Sequence, residues 1–362
     1  MKILVSYILL FFVSFTLYAQ GLISGKVTDT ETKKPLSNAT VFLNGASLST
    51  KTDEQGLFKL SKIAAGQYNL VVSCIGYQTL SKTVTVAKEK IELLLEISPK
   101  AIALEAVIVR PDKNRGRNLE MFKREFLGTS KFAPQCKIIN PDIIDVAYSE
   151  ISNKLEASSS EFLIVENRAL GYRLKILLND FQRDYKAGYT YYEGPTLFEE
   201  LKGTDAQHKR WMKNRKEAYY GSSMHFFRSI WQNRLTAEGF ITRTLIRKSK
   251  DPQTGKAAQY LVKDPLPLSD FVRKTDNPSL LALAFDHLLY IVYINKTEKE
   301  VSLSVYRPIE MSNYPVSIIS LQNKYAFFDP NGIITDPKSI VVEGSWADRG
   351  KIPELLPIDY QP

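Results

Sequence analysis

The sequence predicts an all-β sandwich of about seven strands followed by a larger α+β domain with a helical insert. Three observations carry this expectation. From Gly21 to about Val109, short alternating apolar segments recur between turn residues, with no helical period. Beyond Asn118 a helical period sets in, and the best helices fall between residues 196 and 236. After Gly239 the two-residue alternation returns. The chain has 362 residues, 44% hydrophobic and 24% charged, which suits two domains at roughly 150 residues each, or one small and one large. The expected boundaries are 1–19 for a signal peptide, 20–110 for the sandwich, 111–117 for a linker and 118–362 for the α+β domain.

The first nineteen residues read as a leader. Lys2 supplies a short positive start, and Ile3 to Leu17 is apolar apart from Ser and Thr, too short a run to span a bilayer comfortably. Tyr18-Ala19 then precedes Gln20, so cleavage is expected between Ala19 and Gln20. No cysteine lies near the cut, and no lipoprotein anchor is expected. No later stretch reaches the ~18 apolar residues of a membrane helix. The expectation is export to the periplasm or to the periplasmic face of the outer membrane. The net charge is +9, and the leader contributes only Lys2, so the mature chain keeps a mild bias toward anionic surfaces.

Strands are expected at Leu22–Val27, Ala39–Leu43, Leu48–Thr52, Leu57–Leu60, Tyr68–Ile75, Thr79–Val86 and Ile91–Ile97. Asn44-Gly45 is a hairpin dipeptide, and Gly56 and Gly76 fall where turns need φ > 0. Phe58, Leu60, Tyr68, Leu70 and Val72 alternate onto one face. Five blocks resemble the carboxypeptidase regulatory-like family: Gly25-Lys26-Val27-Thr28-Asp29, Pro35-Leu36-Ser37-Asn38-Ala39-Thr40-Val41, Thr52-Asp53-Glu54-Gln55-Gly56-Leu57-Phe58, Gly66-Gln67-Tyr68 and Ile75-Gly76-Tyr77-Gln78-Thr79. The resemblance implies a transthyretin-like (prealbumin-like) sandwich, often found at the front of envelope proteins, TonB-dependent receptors among them. Leu104 to Val109, then Arg110-Pro111, resembles the short segment that precedes the plug in such receptors. The rest of the chain departs from a receptor, with too few residues for a large barrel, so a last strand running into a linker is expected.

In the larger domain, Asn118 can cap a helix carrying Leu119, Phe122 and Phe126, stopped by Gly128. Strands are expected around Leu155–Val165, Tyr172–Phe181 and Tyr189–Glu193, and Thr196-Leu197-Phe198-Glu199 reads as a capping box opening a short helix. Ala206–Tyr220 and Met224–Leu235, the latter with Ser223 as cap, are the best helices. Later strands are expected at Ile241–Ile246, Gln259–Val262, His287–Ile294, Val301–Tyr306, Val316–Leu321, Tyr325–Phe328 and Ile340–Val342. The C-terminal tail, with Trp346, Leu355, Leu356 and Ile358, is expected to dock back onto this domain. Phe126–Ser130, Cys136–Pro141, Glu166–Tyr172 and Arg210–Ser222 resemble a partner region found with this sandwich in exported bacterial proteins, which implies a shared architecture and brings no activity.

The residues offer little chemistry. His208, His225 and His287 lack a Glu at +1 or +3 and a second His four residues away, so no zinc site is expected. Gly221-Ser222-Ser223-Met224-His225 lacks the second glycine of a nucleophile elbow, and phosphate-cradling loops are absent. A pair of carboxylates distant in sequence stays open. Cys74 and Cys136 could pair in an oxidising compartment or stay free thiols. The densest feature is Lys209, Arg210, Lys213, Arg215 and Lys216 with Trp211, either an anionic-ligand surface or a solvated basic helix packed through its aromatics. The sequence therefore predicts a non-enzymatic binding or assembly module without a cofactor. Its expected partner is a protein or glycan of the cell envelope, or an anionic lipid or glycan surface, and no nucleic acid is expected. The alternatives are a zinc carboxypeptidase-like or glycan-directed hydrolase, or an accessory of a TonB-dependent uptake system.

Overall fold

The computed structural model describes residues 21–87, 89–100, 114–250, 257–297, 306–308 and 313–362. The leader, its cut between Ala19 and Gln20, the Leu104–Val109 segment and the strand expected over Val301–Tyr306 lie outside these residues, save Tyr306. The sandwich comprises β1 (Gly21–Asp29), β2 (Thr40–Leu43), β3 (Ser49–Lys51), β4 (Leu57–Ile63), β5 (Gly66–Ser73), β6 (Leu80–Val86) and β7 (Lys90–Ile97). One sheet runs β4-β1-β7 and the other β3-β2-β5-β6. β1 pairs parallel to β7, with Ile23 opposite Ile91, and antiparallel to β4. Alternation puts Phe58, Leu60, Tyr68, Leu70 and Val72 inward with Ile23 and Val27, all buried. Gly56 and Gly76 take φ of 74° and 83°. Asn44-Gly45 does not close a two-residue hairpin. It opens the loop 44–48, whose backbone bonds to the larger unit instead.

The next segment builds two four-stranded antiparallel sheets around one core. Their strands are β8 (Cys136–Ile138), β9 (Ile144–Ser149), β10 (Lys154–Ser159), β11 (Phe162–Asn167), β12 (Tyr172–Leu177), β13 (Asp180–Asp184), β14 (Tyr189–Glu193) and β15 (Thr196–Glu200), in the orders β14-β13-β10-β9 and β15-β12-β11-β8. The single strands expected over Leu155–Val165 and Tyr172–Phe181 are each two strands. Helix α1 (Arg115–Leu127) drives Phe122 and Phe126 against Phe181 in this core. The helix starts inside the expected linker; Asn114 occupies the cap position and Asn118 is buried within the first turns. Gly128 ends it as expected, with φ of 66° and its N–H on Arg124 O. The helix expected at Thr196-Leu197-Phe198-Glu199 is instead strand β15, because its backbone pairs with β12 and Thr196 N–H donates to Asn44 Oδ1. A tertiary ladder overrides the local capping pattern there.

The helical insert reduces to α2 (Asp205–Tyr219) and α3 (Ser223–Trp231). The capping box lies at Thr204 and Gln207, and Ser222, not Ser223, caps α3. A five-stranded sheet comes next, in the order β17 (Ala257–Leu261), β16 (Phe240–Lys250), β20 (Leu288–Tyr293), β21 (Val316–Leu321), β23 (Ile340–Gly344). A small sheet of β18 (Val272–Lys274), β19 (Leu281–Leu283) and β22 (Ala326–Phe328) completes it, with the short helix α4 (Leu268–Phe271) before β18. Phe226, Phe227, Phe240, Phe328 and Trp346 fill this second core of the larger unit.

The sandwich is fastened to that unit. Val41 and Leu43 point into the sandwich while Phe42 and Val71 point out, against Leu197 and Phe162. Gly45 N–H donates to Thr196 O, and Phe198 N–H to Ala46 O. The tail, beginning with α5 (Ser345–Arg349), docks as expected and reaches further. Ile352 and Leu356 enter the core around α1, Ile358 packs on the sandwich, and Asp359 accepts from the Ser47 backbone N–H and hydroxyl.

Candidate functional site

The site follows from how α2 is seated. The β11–β12 turn, residues 167–171, presents its carbonyls to the helix. Trp211 Nε1 donates to Arg168 O, Asn214 Nδ2 to Ala169 O and Arg215 Nε to Leu170 O, at 2.8–2.9 Å. Asn167 holds the turn itself, its Oδ1 accepting from the Ala169 and Leu170 N–H groups and its Nδ2 donating to Pro353 O. The Trp211 indole lies between two glycines: a Cβ at Gly171 would fall 2.2 Å from its ring, and one at Gly203 2.5 Å. Arg215 stacks over Tyr172 at 3.9 Å and pairs with Glu200 at 2.7 Å. Two of the blocks that resemble the partner region, Glu166–Tyr172 and Arg210–Ser222, are thus the two sides of one joint.

Seating α2 this way divides the basic cluster. Trp211 is buried and Arg215 is consumed by the joint, so neither belongs to a ligand surface; at these two positions the helix packs inward through its aromatic, the other of the two readings. Lys209, Arg210, Lys213 and Lys216 are all exposed. Among the described residues none of the four forms an ion pair. The helix carries Asp205 in its first turn and Lys216 in its last, an arrangement that suits its dipole.

Reactive groups elsewhere have structural partners. His225 is buried; its Nδ1 accepts from Gly221 N–H at 3.1 Å and its Nε2 faces Glu238 at 3.3 Å, so both ring nitrogens are committed. Burial pushes its pKa below the usual histidine range, outweighing the pull of Glu238. His208 packs edge-on against Trp211, and His287 sits at φ 63° before β20. Among the described residues no three His, Cys, Asp or Glu side chains gather as a metal site would require. Ser222 Oγ is occupied as the α3 cap. Cys74 and Cys136 are free thiols, because each packs against a different core; burial pushes the Cys136 thiol up to about 12. A cavity of about 330 Å³ lies where the sandwich loop, α3 and the tail meet, floored by Leu356 and Ile358. Its ionic groups, Glu354 and Arg349, are paired at 2.8 Å.

Residues 23–109 match the CarboxypepD_reg-like domain family, and this part of the chain is a carboxypeptidase regulatory-like β-sandwich. No curated protein matches the chain. Among solved structures the chain is similar to a type II cohesin–X-dockerin complex from Acetivibrio cellulolyticus, at 24% identity over 21% of this chain and 56% of that one, TM-score 0.19. It is also similar to the pilus 2b backbone protein of group B streptococcus, at 20% identity over 22% and 41%, TM-score 0.20. A third is the major pilin BcpA of Bacillus cereus, at 19% identity over 22% and 30%, TM-score 0.19. The chain spans less than two thirds of each of these structures.

Proposed function

We propose that this chain is an exported, non-catalytic binding module of the bacterial cell envelope, and that the outer face of α2 captures an anionic envelope component. The observation that carries the reading is four cations, without an ion pair among the described residues, on a helix whose other side is fixed by Trp211, Asn214 and Arg215. A rigid array of like charges costs folding stability through self-repulsion and returns it only when a counter-charge arrives. The committed partners of His225, Ser222 and the Glu354–Arg349 pair support binding over turnover. The regulatory-like sandwich and the apolar leader support an envelope location.

The test is co-sedimentation of the mature chain with native envelope fractions. Capture should weaken steeply with salt, and the triple variant K209E/R210E/K213E should lose it while keeping its thermal midpoint. Unchanged capture by that variant, or turnover of a peptide or glycan panel by the wild type, would replace the reading. Mass spectrometry of the periplasmic fraction should find Gln20 as the first residue; an intact leader in the cytosol removes the location.

A further inference from the structure

The α2 face does not end at the helix. Lys209, Lys213, Lys216 and Tyr220 follow one another at i, i+4, i+7 and i+11, one line along the surface, roughly 16 Å long at 1.5 Å per residue. At its far end lies an open cleft of about 360 Å³, lined by Glu217, Tyr220, Tyr293, Asn295 and Lys296. Gly221, at φ 82°, turns the chain out of α2 here, and Tyr293 packs so close that a Cβ on Gly221 would lie 2.7 Å from its ring. Tyr220 rests edge-on against Tyr219 and His225 yet is 39% exposed.

The charges of the cleft are out of balance. Among the described residues, Lys131, Lys296 and Arg349 approach it, against Glu217 and Glu354. Lys131 already engages the Glu217 carboxylate and Arg349 that of Glu354. Lys296 Nζ lies 3.7 Å from Glu217 and, among the described residues, makes no hydrogen bond, with 27% of its side chain exposed. An ammonium held there is partly shielded from solvent and, among the described residues, has Glu217 as its nearest acceptor at 3.7 Å; an anionic oxygen entering the cleft would give it a closer one. An aromatic ring, an amide and an under-coordinated cation around a single-ring-sized recess are the groups that hold an acidic pyranose.

We propose that the cleft is a subsite for one acidic sugar unit, carrying a carboxylate or a phosphate, of a linear anionic glycan that lies along α2. The ring stacks on Tyr220, Asn295 meets its hydroxyls and Lys296 binds its charge. A bilayer fits less well, because a flat surface does not enter the recess and, among the described residues, Met212 is the single large aliphatic side chain exposed on α2. This inference rests on the α2 reading and names its ligand. Calorimetry on the mature chain tests it with tetragalacturonate, glucose 6-phosphate, maltotetraose, inorganic phosphate, phosphatidylglycerol vesicles and a thymidine oligonucleotide. Tetragalacturonate or glucose 6-phosphate should bind at least about tenfold more tightly than neutral maltotetraose or phosphate. Which of the two wins identifies the charge. Lys296→Gln and Tyr220→Ala should each weaken it about tenfold with the thermal midpoint kept, and Tyr220→Phe should restore it. Equal binding of acidic and neutral sugars, phosphate binding as tightly as any sugar, or vesicles or oligonucleotide that the sugars cannot displace would overturn it. So would indifference to Lys296→Gln and Tyr220→Ala. Loss of envelope capture in K209E/R210E/K213E with no saccharide binding would sink this inference alone, whereas unchanged capture in that variant would sink the α2 reading with it.

Discussion

Arg228 ties α3 to the 329–333 turn and to the C-terminal tail. It is buried, and its guanidinium donates to Asn331 O, Ile358 O and Tyr360 O at 2.7–2.9 Å. Arg228→Met would strand three carbonyls in a dry setting, so a loss of about 3 kcal/mol is expected, read from the shift of the denaturant midpoint. His225 sets a pH dependence. Its folded pKa lies below the ordinary value of 6.5, so the unfolded chain binds the proton more tightly. The stability it contributes is present above about pH 6.5 and is lost as pH falls through the window between the two pKa values. Denaturation between pH 5 and 8 should show a shallower acid slope in His225→Gln than in the wild type. A slope equal in both chains removes this assignment. The Arg228 partners could not be read from sequence, since the three carbonyls around it lie more than one hundred residues away.

At the scale of elements, α2 owes its position to the turn it sits on. Gly171 has φ of 73° and touches the Trp211 ring, so Gly171→Ala combines backbone strain with a clash. A cost of about 2–4 kcal/mol is expected, with a red shift of tryptophan emission as the indole leaves its slot. Unchanged emission would mean the helix is held by something else. The strands of the sandwich were legible because alternation is local: Phe58, Leu60, Tyr68, Leu70 and Val72 each report burial by position alone. The face α2 buries was not. Helical spacing says that Trp211, Arg215 and Ala218 share a side, but not that the 168–171 carbonyls cover it, so Arg215 was grouped with the solvent-facing lysines. Thr196–Glu199 misled for the opposite reason, a sound local cap pattern outvoted by a ladder to β12. The runs Val41-Phe42-Leu43 and Leu70-Val71-Val72 are buried on both faces, and the outward side of this seam, Phe42 and Val71 against Leu197, was not read from the alternation onto one face.

The whole molecule is held by its end. The tail crosses the core around α1, the carbonyls around Arg228 and the sandwich loop at Gly45 and Ser47. Truncation after Glu354 removes Ile358, Asp359 and Tyr360 together. The full chain should melt in one cooperative calorimetric transition, and the truncated chain in two, the sandwich separating from the rest. A single transition in both would show that the Phe42–Leu197 seam suffices. The cleft at Tyr220 and Lys296 escaped sequence reading because it joins residues of α2 to the end of β20, far apart along the chain.

The parallel pairing of β1 with β7 has a consequence for the chain as it is made. Among the described residues, the first strand of the sandwich occupies the middle of its sheet, and one of its neighbours is the last, β7. A nascent chain, made from its N-terminus, therefore cannot lock this sheet until Lys90–Ile97 has left the ribosome, and must close that long loop before the contacts reward it. Until then Gly21–Asp29 offers a bare hydrogen-bonding edge, a handle for chaperones and proteases alike.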